Sequence, residues 1–197
     1  MQLYPRMARY LAMLPEAEAS YAECRIRAGL VKLSLEYQPF PIEDQTPAWL
    51  VDFLQEKRTA TSLLPLVHCN AWILAMVDSV FGGDEQRYLE FNYEVNRRFG
   101  DHPMYSLLYK MLSPGFIMRT LPMSFRQLMP GVKPVLRAHE DAGILVLRYP
   151  ENLYTELLAR GWAEAVRAMV ENAGGKNPVV KLHDFGKTQL QISARWE

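Results

Sequence analysis

The sequence predicts an α+β protein in which an N-terminal helical body packs on a C-terminal antiparallel sheet that contains a ββαββ unit. Apolar residues recur at three- and four-residue steps after Pro47, which indicates helices. After Pro130 they alternate at every second position, which indicates strands, and one amphipathic segment interrupts the alternation. We expect a single domain, 1–197, made of an N-terminal segment (1–46), a helical part (47–129) and a ββαββ part (130–197).

The N-terminal segment contains one short apolar run, GLVKLSLEY, over Gly29–Tyr37. Val31, Leu33 and Leu35 alternate with their neighbours, and this period of two predicts a half-buried strand. The stretch that follows, QPFPIEDQTP, has three prolines in ten residues and predicts a surface loop.

The helical part opens with TPAWLVDFLQEKR, where Thr46 is the expected cap and Pro47 the first helical residue. The run LVHCNAWILAMVDSVFGG is apolar on all sides, which predicts a buried helix that ends at Gly82 and Gly83. The next helix, DEQRYLEFNYEVNRRFG, opens with Asp84. Further helices are predicted in HPMYSLLYKML and in SPGFIMRTLPMSFRQLM, whose Ser-Pro start supplies the cap and first turn.

The ββαββ part begins with KPVLRAHEDAGILVLRYP, which has two alternating runs around the turn HEDAG. The amphipathic helix ENLYTELLARGWAEAVRAMVENAGG follows and ends at a glycine pair. The last segment, NPVVKLHDFGKTQLQISARW, contains two more alternating runs around DFGK. These patterns predict the order strand, strand, helix, strand, strand.

The stretch HDFGKTQ shares letters with a kinase magnesium motif and with the end of a P-loop. A P-loop needs a glycine where Lys181 stands and a helix after Thr188, but alternation predicts a strand there. The chain also has no H-R-D motif, so a kinase site is excluded. We interpret the stretch as a hairpin tip, with Asp184 bonding its own backbone and Gly186 at positive φ.

Composition limits the class of protein. The chain has 22 basic and 22 acidic residues, so no global field attracts nucleic acid or acidic lipid, although a local basic patch stays open. Two cysteines, Cys24 and Cys69, are too few for a disulfide framework and favour a reducing compartment. The first twenty residues lack the apolar core of a signal peptide, and no membrane-spanning apolar run occurs. We expect a cytoplasmic protein.

Catalytic and metal-binding motifs are missing from the sequence. His68 and Cys69 are adjacent, so on a helix they point about 100° apart and cannot form a dyad. The histidines fall in separate segments and no C-x-x-C occurs, so no metal site is predicted. Spacing does not exclude haem on a lone His68 or His102, but a lone histidine is more often structural. Without G-x-S-x-G or a matching His–Asp order, we predict no enzyme and no catalytic residue.

Aromatic and methionine side chains recur through the helical part. At helical spacing such residues are mostly core, yet flexible methionines beside aromatics also line adaptable apolar pockets. A thiol in an apolar helix is likewise usually packing and sometimes part of such a pocket. The residues predicted as pocket candidates are Cys69, Trp72, Tyr88, Tyr105, Tyr109, Phe116 and Met118.

The order of parts, with YSLLYKMLSPGFIMRTLPMSFRQL before the ββαββ unit and an alternating end at Trp196, resembles a myxobacterial paralogous family of about two hundred residues without assigned function. More distantly, residues 48–197 are similar to the superfamily of haem–nitric oxide binding domains, four-vinyl-reductase-type sensors, phenol-responsive sensing domains and TRAPP transport subunits. The resemblance implies helices packed on an antiparallel sheet, a homodimer, and an apolar pocket for a small molecule, haem or acyl chain.

Three departures from that superfamily narrow the expectation. Tyr105 is followed by SLLYK, so the Y-x-S-x-R motif of the haem branch is missing and haem is disfavoured. Two distant cysteines cannot supply the zinc site of the phenol-sensing branch. Cys69 lies in an apolar helix, as an acylated cysteine of a transport subunit does.

These observations favour a non-catalytic sensory or regulatory domain that holds a small apolar ligand and signals through a protein partner or its own dimer. No nucleic acid or membrane span is predicted. The alternative is a structural adaptor with a filled pocket, and an enzyme on a lipid or aromatic compound ranks third. A cavity bordered by Cys69, Trp72 and Tyr109 would favour the sensor, whereas a solid core and a large apolar outer patch would favour the adaptor.

Overall fold

The computed structural model of the chain describes residues 3–101 and 113–197. The chain divides into two compact units. The first unit comprises Met1–Arg87 and Leu128–Gly131, and the second comprises Tyr88–Gln127 and Val132–Glu197. Among the described helices, none combines the length and the apolar composition needed to cross a membrane.

The first unit is mainly helical. Its elements are α1 (Pro5–Ala12), a 3-10 turn (Ala17–Ala19), β1 (Arg25–Arg27), α2 (Ala28–Tyr37), α3 (Ala48–Gln55), β2 (Leu63–Pro65) and α4 (Leu66–Ser79). Helix α4 packs against α1, α3 and β2, and β1 pairs with β2 in an antiparallel ladder that sets Ile26 opposite Leu64.

The strand predicted over Gly29–Tyr37 is wrong, because these residues form helix α2. Its buried residues are Ala28 and Val31, which are three positions apart as on one helix face, while Leu33 and Leu35 are half-buried. The run is rich in Leu, Lys and Glu, which favour helix, and it contains one β-branched residue. Helix propensity therefore prevailed over a short alternating pattern.

Helix α3 forms where it was predicted, but its start differs. Pro47 is the N-cap residue and not the first helical one, and Thr46 does not cap the helix. Thr46 Oγ1 instead accepts a hydrogen bond from Glu43 N at 2.9 Å and lies 3.0 Å from Tyr4 Oη. A side chain engaged in the core is unavailable to the helix end.

Helix α4 ends as predicted, in a turn that needs glycine. Gly82 and Gly83 have φ of +63° and +82°, and Gly83 N donates to Val77 O at 2.7 Å. Helix α5 (Glu85–Asp101) then starts at the predicted cap, since Asp84 Oδ1 accepts from the backbone of Gln86 and Arg87. The division between the units falls within α5.

Helix α6 (Pro114–Leu128) has the predicted cap, because Phe116 N donates to Ser113 Oγ at 3.3 Å. The helix predicted in HPMYSLLYKML lies outside the described residues.

The second unit contains the predicted antiparallel sheet. Its strands are β3 (Lys133–Ala138), β4 (Ala142–Arg148), β5 (Val179–Phe185) and β6 (Gln189–Arg195), in the spatial order β3-β4-β6-β5. Helix α7 (Glu156–Asn172) begins at Thr155, whose Oγ1 accepts from Leu158 N, and packs on β5 and β6. Both hairpins, the connecting helix and the α+β class are confirmed.

The hairpin tip between β5 and β6 is confirmed in position but not in its glycine chemistry. Gly186 does not adopt positive φ, so that expectation was wrong. Its N–H donates to Gln189 O at 2.9 Å, and its carbonyl accepts from Tyr149 Oη at 2.9 Å. Asp184 accepts from the Gln189 side chain at 3.2 Å. Short cross-strand bonds hold this turn.

Helices α5 and α7 approach each other closely in the second unit. A Cβ on Gly161 would lie 2.3 Å from Tyr88 Oη, and one on Gly100 would lie 2.5 Å from the Asn172 side chain. Asn92 Nδ2 also donates to Gly161 O. Glycine is required at both positions because the facing side chains occupy the space of a Cβ.

Candidate functional site

The candidate site is one face of helix α4 in the first unit. Ten of its fourteen residues are buried, in agreement with the apolar pattern of the sequence. His68, Cys69 and Trp72 fall on the same side, with Trp72 between the other two in angle, at about 40° from His68 and about 60° from Cys69. The predicted pocket candidates Cys69 and Trp72 are thus brought together.

Trp72 is the largest fully buried side chain of the described residues, with an exposure of 1%. Its Nε1 has no hydrogen-bond partner among the described residues. A buried donor without an acceptor costs about 1–3 kcal/mol, and such groups are rare enough in native proteins to require an explanation. The indole N–H is therefore the most informative polar atom on α4.

A polar pair lies in the contact between α1 and α4. Asn70 Nδ2 donates to Tyr10 Oη at 3.3 Å, and both residues are buried. Burial raises the pKa of Tyr10 far above its ordinary value; the Asn70 hydrogen bond opposes this, and the nearby Cys69 and Cys24 thiols add to it. Tyr10 is therefore neutral at every physiological pH.

Both cysteines of the chain are buried, free thiols. Burial raises the pKa of Cys24 to about 11, with a smaller contribution from Glu23, and raises the pKa of Cys69 further. The loop after α6 closes over Cys24, since a Cβ on Gly131 would lie 2.7 Å from its Sγ. Both sulfurs are therefore neutral thiols and poor nucleophiles at neutral pH.

His68 contacts helix α3. Its ring centroid lies 4.8 Å from that of Trp49 and 5.8 Å from that of Phe53. Burial lowers the pKa of His68, while a hydrogen bond to the Glu18 backbone raises it by a smaller amount. The ring is therefore a neutral member of an aromatic cluster at neutral pH.

The other predicted pocket residues are not on this helix. Tyr88 and Phe116 belong to the second unit, where Tyr88 is buried against Gly161 and Phe116 is 44% exposed on α6. Met118 lies in α6, but its side chain is outside the described ones, as are Tyr105 and Tyr109 altogether. A common pocket for these residues stays a prediction.

Sequence reasoning missed the Asn70–Tyr10 pair. Asn70 is one of three polar residues that are buried in the described part, and its signal was an amide inside an otherwise apolar helix. No group of three or more His, Cys, Asp or Glu within residues 3–101 and 113–197 is arranged to hold a metal ion.

Comparisons with known proteins give matches among solved structures. No protein-family model matches the chain, and no curated protein matches it. A Cs H-NOX mutant carrying 4-cyano-L-phenylalanine has a TM-score of 0.59 at 9% identity, over 87% of this chain and 97% of that one. A mutant H-NOX of T. tengcongensis gives 0.53 at 10% identity, over 100% and 98%. An oxygen-binding H-NOX domain related to soluble guanylate cyclases gives 0.56 at 11% identity, over 86% and 92%.

The likeness shows that this chain has an H-NOX-like α+β fold, as the distant resemblance implied. Identities of 9–11% show the fold and do not transfer the function of these proteins. The narrower resemblance to the myxobacterial family stays a prediction.

An H-NOX-like fold raises the question of haem, which needs an axial ligand for its iron. Of the described histidines, His68 is flanked by Trp49 and Phe53, and His139 and His183 are exposed. Both thiols are held neutral by burial, whereas a thiolate is the form that ligates. Neither described thiol is therefore in the ligating form, His68 belongs to the Trp49–Phe53 cluster, and His102 lies outside the described residues.

Proposed function

We propose that this chain is a non-catalytic ligand-binding domain with a sensory or regulatory role. Helix α4 takes a small, mostly apolar molecule against the face that carries Cys69 and Trp72. The observation that carries the proposal is the buried indole N–H of Trp72, which has no partner in the described chain. A ligand with one acceptor oxygen would satisfy it.

The surroundings define the chemical class of the ligand. The charged groups at α4 are already paired, since the buried carboxylate of Asp78 lies 2.7 Å from Arg6 and the Arg58 guanidinium that acts on Cys69 is paired with Glu56. An ionised ligand would therefore lose its hydration without gaining a free counter-charge. The face offers one free donor, a neutral thiol and many aliphatic side chains. An uncharged molecule with an apolar body and one carbonyl or hydroxyl oxygen fits these groups.

The fold supports the same role. One structural neighbour is an oxygen-binding H-NOX domain, and another concerns the mechanism of H-NOX activation. The first binds oxygen and the second is a domain that undergoes activation, and their shared architecture supports a ligand-binding role for this chain. We do not extend haem to it, because the Y-x-S-x-R motif of the haem branch is missing from the sequence.

The non-enzymatic part of the proposal rests on the titratable groups. Catalysis needs acids, bases or nucleophiles whose pKa values are tuned near neutral pH. In the first unit, burial instead raises the pKa of Tyr10, Cys24 and Cys69 away from neutrality and lowers that of His68. All four groups are uncharged at pH 7, and the phenol and the two thiols are too weakly acidic there to act as nucleophiles.

The experiment begins with native mass spectrometry of freshly purified protein against its denatured mass, which detects a retained ligand. Indole N–H resonances in a ¹⁵N-labelled sample are then followed during titration with decanol, p-cresol and haemin. We expect an uncharged probe to shift the Trp72 resonance. Trp72→Phe should lower the affinity for that probe at least about tenfold, which corresponds to about 1.4 kcal/mol of binding free energy. Haemin should give no Soret shift.

The matched control is Trp196→Phe. Trp196 is also buried, but its Nε1 already donates to Glu140 O at 3.1 Å. In the wild type the Trp196 resonance should therefore not respond to the probes, and the Trp196→Phe variant should bind them as the wild type does. A retained mass of haem would overturn the choice of ligand. Absence of any retained mass, together with an unmoved Trp72 resonance at millimolar probe, would overturn the ligand-binding function.

The second candidate is a structural adaptor whose pocket is filled by side chains. The burial of ten of the fourteen α4 residues favours it, since a tightly packed helix leaves little room for a guest. In that case the Trp72 resonance would report a trapped water or an unsatisfied N–H and would be insensitive to every probe. Light scattering would test the homodimer that both candidates share.

A further inference from the structure

The four-stranded sheet of the second unit has two different faces. One face is apolar and buried, as shown by Leu145, Leu147, Leu190 and Ile192, each at most 1% exposed. The alternating positions form the outer face. There the register aligns Lys133, Arg148 and Gln189 in one row and Arg137, Ile144, Ser193 and Lys181 in another.

The outer face is strongly basic. Asp184 is the one acidic residue in these four strands, and the basic ones are Lys133, Arg137, Arg148, Lys181 and Arg195. Five against one leaves +4 on a chain whose formal charge is zero, so the rest of the chain carries −4. All five are exposed, and within residues 3–101 and 113–197 none of them forms an ion pair.

Apolar side chains occupy the middle of the same face. Val135 and Ile144 lie on neighbouring strands and are 44% and 40% exposed. Lys133 and Arg148 are opposite each other at one end of these strands, and Arg137 pairs with Ile144 toward the other end. An apolar centre with a charged rim is the usual anatomy of a protein–protein interface.

The residue types distinguish between possible anionic partners. Binding of single-stranded nucleic acid uses aromatic side chains as stacking platforms, and membrane-interface binding uses Trp or Phe as anchors. Alternation places Phe185 opposite the buried Leu190, away from the outer face, and the exposed His183 ring is held by a hydrogen bond of 2.6 Å to Ser193 Oγ. The face therefore offers charge and aliphatic contact without a Phe, Tyr or Trp for stacking or insertion.

We propose that the outer face of the sheet docks a protein partner that presents carboxylates around an aliphatic centre. Complementary charge would steer the encounter, and the contact of Val135 and Ile144 would hold it. The biological role of this surface rests on the proposed function, because a ligand-binding domain needs a surface for its output. The affinity of the outer face for an acidic peptide can be measured without the ligand of α4.

The test uses a fluorescein-labelled twelve-residue peptide of alternating Glu and Leu, with Gln/Leu and Lys/Leu peptides of the same length. Fluorescence anisotropy is recorded on the full chain at low and high salt. We expect the Glu/Leu peptide to bind best and to weaken with salt, because exposed charges are screened. Arg137→Glu with Arg148→Glu should weaken it at least about tenfold.

The matched control is Lys57→Glu with Arg126→Glu, which makes the same charge change at exposed positions off the sheet and should alter binding less than about twofold. Arg137→Gln with Arg148→Gln guards against misfolding of the doubly reversed variant and should give an intermediate loss. Ile144→Thr should weaken binding without changing its salt dependence. Trp72→Phe should leave peptide binding intact, so a failure of the ligand proposal can be distinguished from a failure of the docking proposal.

Four outcomes would overturn the proposal. The first is equal binding of the three peptides, and the second is an equal loss of binding in the sheet variant and the control variant. The third is tighter binding of phosphatidylserine vesicles or of single-stranded DNA, if the sheet variant abolishes that binding. The fourth is a wild-type dimer in sedimentation that becomes monomeric in the sheet variant. The last two would assign the face to a membrane, a nucleic acid or a second copy of the chain.

Discussion

The α4 environment in the first unit and the α5–α7 contact in the second unit treat buried polar groups in opposite ways. On α4 the indole N–H of Trp72 has no acceptor within residues 3–101 and 113–197. Between α5 and α7, Tyr93 Oη donates to Glu171, Arg97 donates to Asn172 at 2.6 Å, and Asn172 donates to the α5 backbone. Most polar groups of the second contact satisfy one another, which stabilises the packing of α5 on α7.

Glu164 and Arg167 are less well satisfied in that second contact. Glu164 Oε2 and Arg167 Nε lack a hydrogen bond of good geometry among the described residues, but they lie 3.2 Å apart as an ion pair. The Arg167 guanidinium also lies 3.9 Å from the centroid of the Tyr93 ring, a cation–π distance. Trp72 has no such substitute among the described residues, and this is the difference on which the proposed ligand site rests.

The largest effect is expected from breaking the paired contact at its closest point. Gly161→Ala places a methyl group where Tyr88 Oη lies, and because Tyr88 is buried we expect a loss of about 2 kcal/mol in the free energy of unfolding. Urea denaturation measures it. Tyr88→Phe with Gly161→Ala should recover part of the loss, and a single variant as stable as the wild type would contradict the geometry.

A smaller loss is expected from one bond of the same contact. Tyr93→Phe removes the hydroxyl that donates to Glu171 and should cost about 1 kcal/mol, because Glu171 keeps its ion pair with Arg97. Equal unfolding midpoints for Tyr93→Phe and the wild type would show that the bond adds nothing.

His68 should give the first unit a pH dependence. Its folded pKa is lowered below the ordinary 6.5, chiefly by burial, so its contribution is present above pH 6.5 and is lost as pH falls through the folded pKa. Glu18, Arg58 and Arg25 exert the smaller charge effects on it. His68→Gln should flatten the fall in melting temperature between pH 7 and pH 5, and His139→Gln should leave it unchanged. An unchanged slope in His68→Gln would refute this assignment.

The smallest effect concerns the thiols. Cys24 and Cys69 are buried and neutral, so a disulfide reagent such as DTNB should react with neither in the native protein at pH 7.5 and with both in guanidinium. Fast labelling of Cys69 in native protein would show an open path to α4. Such a path would strengthen the ligand proposal while contradicting the closed state of the helix.

The sequence predicted elements well where two signals agreed. The hairpins around HEDAG and DFGK combined alternation with turn residues, and α4 combined an apolar run with a glycine end. Helix α2 was missed because alternation stood against the helix propensity of Leu, Lys and Glu. Thr46 was misjudged because its real partners, Tyr4 and Glu43, are set by tertiary structure.

The candidate site was predictable in part. Cys69 and Trp72 could be chosen from their types and spacing on one helix. The Asn70–Tyr10 pair joins residues sixty positions apart, which no local pattern reveals. The basic outer face was not predicted, because the sequence only left a local basic patch open and its rows depend on β4 pairing with β6, a register that alternation does not define.

The short segment Leu128–Gly131 has a consequence for how the chain matures on the ribosome. It belongs to the first unit, where Pro130 O accepts from Arg25 N and Gly131 packs on Cys24 at a φ of +88°. Residues 88–127 must therefore be synthesised before Leu128–Gly131 can complete the first unit. A nascent chain stalled after Arg87 would leave the Cys24 thiol uncovered, which makes this cysteine a natural reporter of co-translational completion.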